Sequence, residues 1–216
     1  MKTMTLLLTL ALSAPLAAAT SVSPYADADT PAISFRPFLL AAGQEFAAKT
    51  TFGATFGRAF QPFWGGGVEV VLRDGIWVDL TVSMFSKNGQ RAFVNNGRVF
   101  SLGIPLTATV TPIEVSGGYR FRISKRLIPY FGAGVGSYAY TEHSSFADPD
   151  ENVDTRHAGY LVVGGAELRV HRWIGVAADA QYTYVGGILG SGGLSQLAGE
   201  KSLGGLSARL RLVVGR

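Results

Sequence analysis

Three histidines are the residues of this sequence best suited to acid–base chemistry: His143, His157 and His171. His143 lies between Glu142 and Ser144, so a base, a carboxylate and a hydroxyl nucleophile adjoin in sequence, as ester hydrolysis would require. Neighbours along an extended strand point to opposite faces, however, and a nucleophile and its base must meet in space. We therefore interpret the histidines as interfacial polar residues and predict that the protein is not an enzyme.

A run of acidic residues is the second candidate for chemistry, because carboxylate and amide oxygens are the ligands that Ca²⁺ prefers. The run contains Asp148, Asp150, Glu151 and Asp154, together with Asn152. Its spacing does not match the twelve-residue calcium-binding loop with Gly at its centre. We interpret it as a solvated loop, and we predict no metal site and no other cofactor.

Most of the remaining charged residues alternate with apolar ones, which is the pattern of a β-strand with two unlike faces. The hairpin at 158–185 shows it most clearly: Tyr160 and Val162 lie on one face of its first arm, and Glu167 and Arg169 on the other. Each arm is longer than a typical soluble strand and about long enough to cross a bilayer when tilted. An apolar exterior around a polar interior is typical of a transmembrane barrel.

The same alternation recurs along the chain and divides it into about eight strands. The short connections are 73–75, 123–126 and 171–172, and the long ones are 43–62, 87–105, 144–157 and 186–202. Strict alternation of short and long connections predicts an all-β fold, a single antiparallel transmembrane β-barrel with short periplasmic turns and long extracellular loops. Strand four is predicted over 107–122. Whether residues 50–60 and a hairpin at 91–103 add to the barrel wall stays open.

The N-terminus carries the one long apolar run of the sequence. Lys2 precedes the leucine-rich stretch 6–12, and the alanines at 17–19 are the small residues that a signal peptidase reads. We predict a cleaved secretory signal peptide over 1–19, a periplasmic lead-in over 20–32 and an outer-membrane barrel over 33–216. No other segment reaches the ~18 apolar residues of a membrane helix, so an exported membrane protein must here be a closed sheet.

Composition excludes two further classes of protein. The chain has no Cys, which excludes a disulfide scaffold. Its net charge of +4 is not gathered in a run rich in Lys and Arg, so we expect no nucleic-acid partner. Export without a membrane helix instead predicts the outer membrane of a Gram-negative-type cell.

Two stretches carry a family resemblance: Gly117-Gly118-Tyr119-Arg120-Phe121 and Pro129-Tyr130-Phe131-Gly132-Ala133-Gly134-Val135-Gly136. With the signal sequence and the last strand, they resemble the small outer-membrane β-barrel family that includes the OmpA N-terminal, OmpX and OmpW types. The resemblance implies a monomer in contact with outer-membrane lipid and lipopolysaccharide, inserted by the barrel-assembly machinery. Some similar barrels are lipid A-modifying enzymes with a His and a Ser, so a lipid A-modifying hydrolase stays as a third hypothesis.

The inward parity of the strands collects many charges in one lumen. The interior of an eight-strand barrel is just wide enough for side chains to fill, so opposite charges there should pair. We predict a charge-paired, closed lumen and a structural or surface-interaction role for the external loops; the alternative is a narrow channel for small or amphipathic solutes. The predicted lumen residues are Arg36, Glu69, Asp79, Glu114, Arg120, Arg122, Glu167, Arg169, Asp179, Arg209 and Arg211.

Aromatic residues on the outward parity are predicted to anchor the barrel at the two membrane interfaces. They are Trp64, Tyr119, Tyr160, Tyr182 and Tyr184. On the inward parity, alternate glycines in 129–136 should leave room for bulky neighbours such as Trp77 or Trp173.

Overall fold

The computed structural model describes residues 32–72, 74–95, 98–144, 153–189 and 193–215. Its elements are β1 (Ile33–Phe46), α1 (Lys49–Phe56), β2 (Phe60–Leu72), β3 (Ile76–Asn95), β4 (Arg98–Arg120), β5 (Leu127–His143), β6 (Val153–His171), β7 (Ile174–Val185), α2 (Gly193–Leu197) and β8 (Gly205–Val214). Each strand pairs antiparallel with its sequence neighbour, and β8 pairs with β1 to close the barrel. The predicted all-β barrel of about eight strands is confirmed. The predicted signal peptide lies outside the described residues.

The two faces of the wall follow the predicted parity. In β7 every second residue is buried, among them Ala177 and Asp179, while the residues that alternate with them, such as Val176 and Tyr182, are exposed. The outer face of the barrel exposes aliphatic and aromatic side chains on all eight strands. Such a surface would cause aggregation in water, whereas it is the surface that outer-membrane barrels present to lipid. Neither of the two helices in the described ranges is long and apolar enough to cross a membrane.

Trp77 points into the lumen, as the strand alternation predicts, and the absence of a side chain at Gly132 leaves room for its ring. The indole is 1% exposed, and a Cβ placed on Gly132 would lie 2.5 Å from Trp77 Cζ2. The prediction that Trp173 also points inward was wrong, since it is 46% exposed. It lies between β6 and β7, after the last paired residue of β6, where the strand alternation no longer fixes its direction.

Several strands differ in extent from the sequence-based prediction. β1 continues to Phe46 and β2 begins at Phe60, so the connection expected at 43–62 is reduced to residues 47–59, which contain α1. β6 begins at Val153, inside the connection expected at 144–157. β3 and β4 remain paired out to Asn95 and Arg98, with one register shift, so most of the long connection expected at 87–105 is paired strand. β4 ends at Arg120 and not at 122. From Arg98 to Leu106, β4 pairs with β3 alone, and the 91–103 hairpin therefore projects past the wall without adding to it.

The barrel has two unlike ends. The turn end carries the connections 73–75, 121–126 and 172–173; the loop end carries α1, α2 and the projecting hairpin. From Tyr184, near the loop end of β7, to Trp173, at the turn end, there are eleven residue steps, which at the rise and tilt of barrel strands span about 28 Å. This length matches the apolar band of about 25 Å that outer-membrane barrels present to lipid.

Candidate functional site

The lumen nearest the turn end is occupied by a ring of ion pairs, the lower charge cluster. It consists of Arg36, Glu69, Arg120 and Glu167, from β1, β2, β4 and β6, and each is at most 2% exposed. Arg36 Nη1 donates to Glu69 Oε1 at 2.9 Å and its Nη2 to Glu167 Oε1 at 2.5 Å. Arg120 Nη1 donates to Glu69 Oε1 at 2.7 Å, and its Nη2 donates to Glu167. Two guanidinium groups and two carboxylates thus alternate around a closed ring.

Strand register places these groups opposite one another. Arg36 and Glu69 are direct partners in the β1–β2 ladder, while Glu167 reaches both arginines from the other side of the lumen. Burying a lone charge at this depth would be very unfavourable, and the ring offsets that cost because each charge meets two of opposite sign. The ring leaves no net charge at this level of the lumen.

A second group, the central charge cluster, lies next along the axis and consists of Asp79, Asp179, Arg209 and Arg211. Arg211 Nη1 lies 3.2 Å from Asp79 Oδ2, and its Nε lies 3.1 Å from Asp179 Oδ2. Arg209 Nε donates to Asp179 Oδ1 at 2.5 Å. Tyr130 Oη donates to Asp179 Oδ2 at 2.6 Å, and the Arg211 guanidinium carbon lies 5.0 Å from the Tyr130 ring centroid. The cluster is therefore joined by both ion pairs and neutral donors.

Glu114 is held differently from the other lumen carboxylates. Tyr138 Oη donates to Glu114 Oε1 at 2.7 Å and Gln181 Nε2 donates to the same oxygen at 3.0 Å. The nearest guanidinium nitrogen, Arg209 Nη1, is 3.9 Å from its other oxygen. Neutral donors therefore supply the hydrogen bonds of Glu114, and Tyr138 joins the charged part of the lumen to the apolar part above it.

The lumen toward the loop end is closed by side chains that we call the aromatic plug: Phe46, Phe52, Phe63, Phe85, Val110, Tyr138, Val185 and Leu203. Phe46 is fully buried, and its ring stacks on Phe52 with centroids 3.8 Å apart. Phe63 and Phe85 pack beside it at centroid distances of 6.0 and 6.1 Å. The strand members converge from six strands around the barrel, so the plug spans the lumen.

Phe52 reaches the plug from α1, which is fastened at both ends by residues from other elements. Glu200, in the β7–β8 connection, accepts hydrogen bonds from the Thr50 N–H at 2.6 Å and from the Thr51 N–H at 2.9 Å. Thr51 Oγ1 also donates to Glu200 at 2.6 Å. At the other end, Lys87 Nζ donates to the Phe56 carbonyl at 3.3 Å. A carboxylate at the N-terminus of a helix and an ammonium at its C-terminus both complement the helix dipole.

The Glu200 contact replaces a local helix cap. Ala48 precedes α1 and has no side chain that could accept the first helical N–H groups. Partial burial of the Glu200 carboxyl opposes its ionisation, but the hydrogen bonds from Thr51 and Thr50 outweigh this and hold its pKa below the usual value. The ionised carboxylate is therefore the form that holds α1 over the lumen.

Nine of the eleven predicted lumen residues lie buried in the lumen: Arg36, Glu69, Asp79, Glu114, Arg120, Glu167, Asp179, Arg209 and Arg211. The other two lie at the turn end. Arg122 is half-buried beyond the end of β4, and Arg169 is 22% exposed with its Nε 3.8 Å from Glu167 Oε1. The outward-facing Trp64, Tyr160, Tyr182 and Tyr184 lie toward the loop end and Tyr119 toward the turn end.

Sequence reasoning missed two tyrosines that complete the lumen. Tyr130 and Tyr138 share the inward parity of the carboxylates that they bind, so the alternation could have identified them. The helix was missed as well, although Phe52 and Phe56 are four residues apart, the spacing of one helix face. No local feature of the sequence pointed to the contact between Glu200 and α1.

The residues with acid–base or metal-binding chemistry do not come together. His143 is exposed at the loop end of β5 and His171 at the turn end of β6, while His157 Nε2 lies 3.0 Å from Thr155 Oγ1. Ser144 Oγ donates to the Pro105 carbonyl. Within the described part of the chain, no three His, Cys, Asp or Glu side chains are grouped as metal ligands. Asp148, Asp150, Glu151 and Asn152 lie outside the described residues, and Asp154 is exposed at the start of β6.

Comparison with known proteins is consistent with this geometry. Residues 4–198 match the family model of the outer membrane protein β-barrel domain. A major outer membrane protein of Thermus thermophilus is 10% identical with a TM-score of 0.55, over 86% of this chain and all of that one. Neisserial surface protein A is 11% identical with a TM-score of 0.50, over 86% and 96%. The N-terminal barrel of OprF from Pseudomonas aeruginosa is 14% identical with a TM-score of 0.48, over 85% and 97%. No curated protein matches the chain significantly.

Proposed function

The chain belongs to the outer membrane protein β-barrel domain family. We propose that it is a closed, non-enzymatic β-barrel protein of the outer membrane that acts through its loop-end surface. In this proposal the turn end faces the periplasm, as short connections do in outer-membrane barrels. The loop end, with the projecting β3–β4 hairpin, α1 and α2, then faces the cell exterior. The protein works as a monomer in contact with outer-membrane lipid and lipopolysaccharide, after insertion by the barrel-assembly machinery.

One observation carries the proposal: three barriers fill the lumen in series. The lower charge cluster and the central charge cluster occupy its turn-end half with paired, hydrogen-bonded groups. The aromatic plug occupies its loop-end half. An ion would have to separate buried ion pairs and then cross an apolar layer, and both steps are unfavourable.

Planar-bilayer recording of the refolded chain without residues 1–19 tests this proposal. We expect no steady current, and we expect Glu114→Ala and Glu167→Ala to remain closed although they are less stable. A steady conductance in the unmodified protein, with an ion selectivity that these substitutions change, would contradict the proposal and establish a charged pathway.

A narrow channel is the second candidate function. The observation that favours it is that one member of the aromatic plug is carried by the helix α1. Phe52 is the plug member carried by a helix rather than by the barrel wall or its adjoining segments, and hydrogen bonds to Glu200 hold that helix at its N-terminus. Release of α1 would remove one wall of the plug while the barrel stayed intact. The two charge clusters would then remain as the barrier that a solute must cross.

A further inference from the structure

The turn end of the barrel carries a concentration of positive charge, the basic rim: Arg122, Lys125, Arg126, Arg169 and Arg172. Four lie in or beside two connections, 121–126 and 172–173, and neither connection contains an acidic residue. Arg169 is close to Glu167 in the lumen, so Lys125, Arg126 and Arg172 form the exposed part of the rim. The third connection, 73–75, contributes Asp74.

A hydrogen bond ties the first basic connection to the end of β6, the strand that leads into the second. The Arg169 N–H donates to the Arg126 carbonyl at 2.8 Å, because β5 and β6 are paired up to this point. Within the first connection, Ser124 Oγ accepts from the Leu127 N–H at 2.9 Å and from the Arg126 N–H at 3.3 Å, which fixes the turn. The first turn is therefore fixed in its own backbone and to β6, and the two basic turns lie at the same end of neighbouring strand pairs.

Apolar and aromatic residues beside the basic rim place it at the edge of the membrane. Ile123, between the cations of the first turn, is 71% exposed, and Trp173 is 46% exposed beneath the Arg172 guanidinium, whose carbon lies 5.9 Å from its ring centroid. Phe121 packs between Tyr119 and Phe131, at centroid distances of 5.0 and 5.6 Å. Rings of this kind lie at the level of lipid headgroups, so the adjacent cations lie at the level of the phosphates.

We propose that the basic rim is a binding site for anionic phospholipid headgroups in the leaflet that surrounds the turn end. The guanidinium and ammonium groups would bind the lipid phosphate, and Trp173 and Ile123 would contact the upper part of its acyl chains. At the loop end, by contrast, Lys49 Nζ lies 2.5 Å from Glu45 Oε1, and Lys201 directly follows Glu200 in sequence. The inference rests on the proposed membrane location and on the periplasmic placement of the turn end.

Tryptophan quenching by brominated lipid tests the site, because the chain has a reporter at each end. Trp64→Phe leaves Trp173 as the lipid-exposed indole, and Trp173→Phe leaves Trp64; Trp77, buried in the lumen, gives the same background in both. Each variant is refolded into phosphatidylcholine vesicles that contain increasing amounts of brominated phosphatidylglycerol, and quenching gives the relative binding constant of the two lipids.

Each Lys or Arg close to an anionic surface contributes about a five-fold factor in binding. We therefore expect phosphatidylglycerol to be favoured at Trp173 by about five-fold or more at low salt, and close to one-fold at Trp64. Combined Lys125→Gln, Arg126→Gln and Arg172→Gln should bring the Trp173 value close to one. The matched control, Lys49→Gln, Arg58→Gln and Lys201→Gln, removes the same charge from the loop end and should leave the Trp173 value unchanged.

Two results would overturn the inference. One is a Trp173 value that equals the Trp64 value or does not respond to the triple substitution at the basic rim. The other is a Trp173 value that falls as far in the loop-end control as in the basic-rim variant, which would show that net charge and not the rim sets the preference. Failure of the protein to insert into vesicles, or its absence from the outer-membrane fraction, would instead contradict the proposed function.

Discussion

The two halves of the lumen are closed by opposite means. Toward the turn end, five buried carboxylates are matched by four buried guanidinium groups and by Arg169 beside Glu167. Toward the loop end, stacked phenylalanine rings exclude water without any ion pair among them. The charged half is built from strand residues alone, whereas the aromatic plug also depends on α1 and on the connection that precedes β8.

This difference separates two kinds of stability. A residue of the charged half is fixed by strand register, so it can lose its contacts only when the barrel wall opens. A residue on α1 can leave with its helix while the wall stays intact, which is the behaviour of a locally unfolding unit. We therefore expect the charge clusters to be as stable as the barrel itself. The part of the aromatic plug carried by α1 should be only as stable as the docking of that eight-residue helix.

Removal of Glu167 is expected to have the largest effect. Glu167→Ala leaves the guanidinium groups of Arg36 and Arg120 each with one carboxylate fewer in a confined interior. Breaking a buried pair from one side typically costs about 3–5 kcal/mol. Urea unfolding in vesicles, followed by tryptophan fluorescence, measures the free energy of unfolding.

Two further substitutions calibrate this prediction. Glu114→Ala removes a carboxylate that accepts hydrogen bonds from the neutral donors Tyr138 and Gln181. Loss of this buried acceptor should lower the free energy of unfolding by about 1–3 kcal/mol. Glu45→Ala breaks an exposed pair with Lys49 and should cost at most about 1 kcal/mol. An equal loss of stability in all three variants would show that the clusters are not energetically distinct from the surface.

Parity explains why the charged half could be predicted from the sequence. The inward set is strictly periodic within each strand, so the alternation alone was enough to assign Asp79 and Asp179 to one lumen. The same rule failed where pairing stops, at Trp173 and Arg122, because an unpaired backbone no longer imposes alternation. The contact of Glu200 with α1 could not be predicted, since it joins residues about 150 positions apart through connections without a period.

Two phenylalanines of the plug test whether its helix and its wall are independent. Phe63→Ala removes a buried ring carried by β2, and we expect a loss of about 3 kcal/mol in the free energy of unfolding. Phe52→Ala removes a ring of the same size carried by α1, and we expect less than about 1 kcal/mol because the helix opens without the barrel.

Hydrogen exchange supplies the second readout for this pair. The amides of α1 should lose most of their protection in Phe52→Ala, while the amides of β1 and β2 keep theirs. Phe63→Ala should affect the strand amides instead. If both variants lowered the free energy of unfolding equally, α1 would be part of the cooperative barrel, and the proposed channel route through its release would be closed.

Glu200→Gln tests the fastening of α1 and should have the smallest effect. The amide side chain keeps one oxygen acceptor but loses the charge that complements the helix N-terminus, a change worth about 1 kcal/mol. This corresponds to exchange about five-fold faster at the amides of Thr50, Thr51 and the rest of α1. Asp154→Asn, which alters an exposed carboxylate at the start of β6, should leave that exchange unchanged.

The contact between Glu200 and α1 should weaken at low pH. Because the pKa of Glu200 is lower with α1 in place than when the helix is released, the contact is at full strength above the ordinary Glu pKa of about 4.3. It weakens as the pH falls through the lower pKa of the closed form, since protonation then removes the charge. The opening equilibrium of α1, from exchange rates corrected for intrinsic pH dependence, should therefore rise on acidification in the parent chain and much less in Glu200→Gln. An equal rise in both would mean that another group fastens the helix.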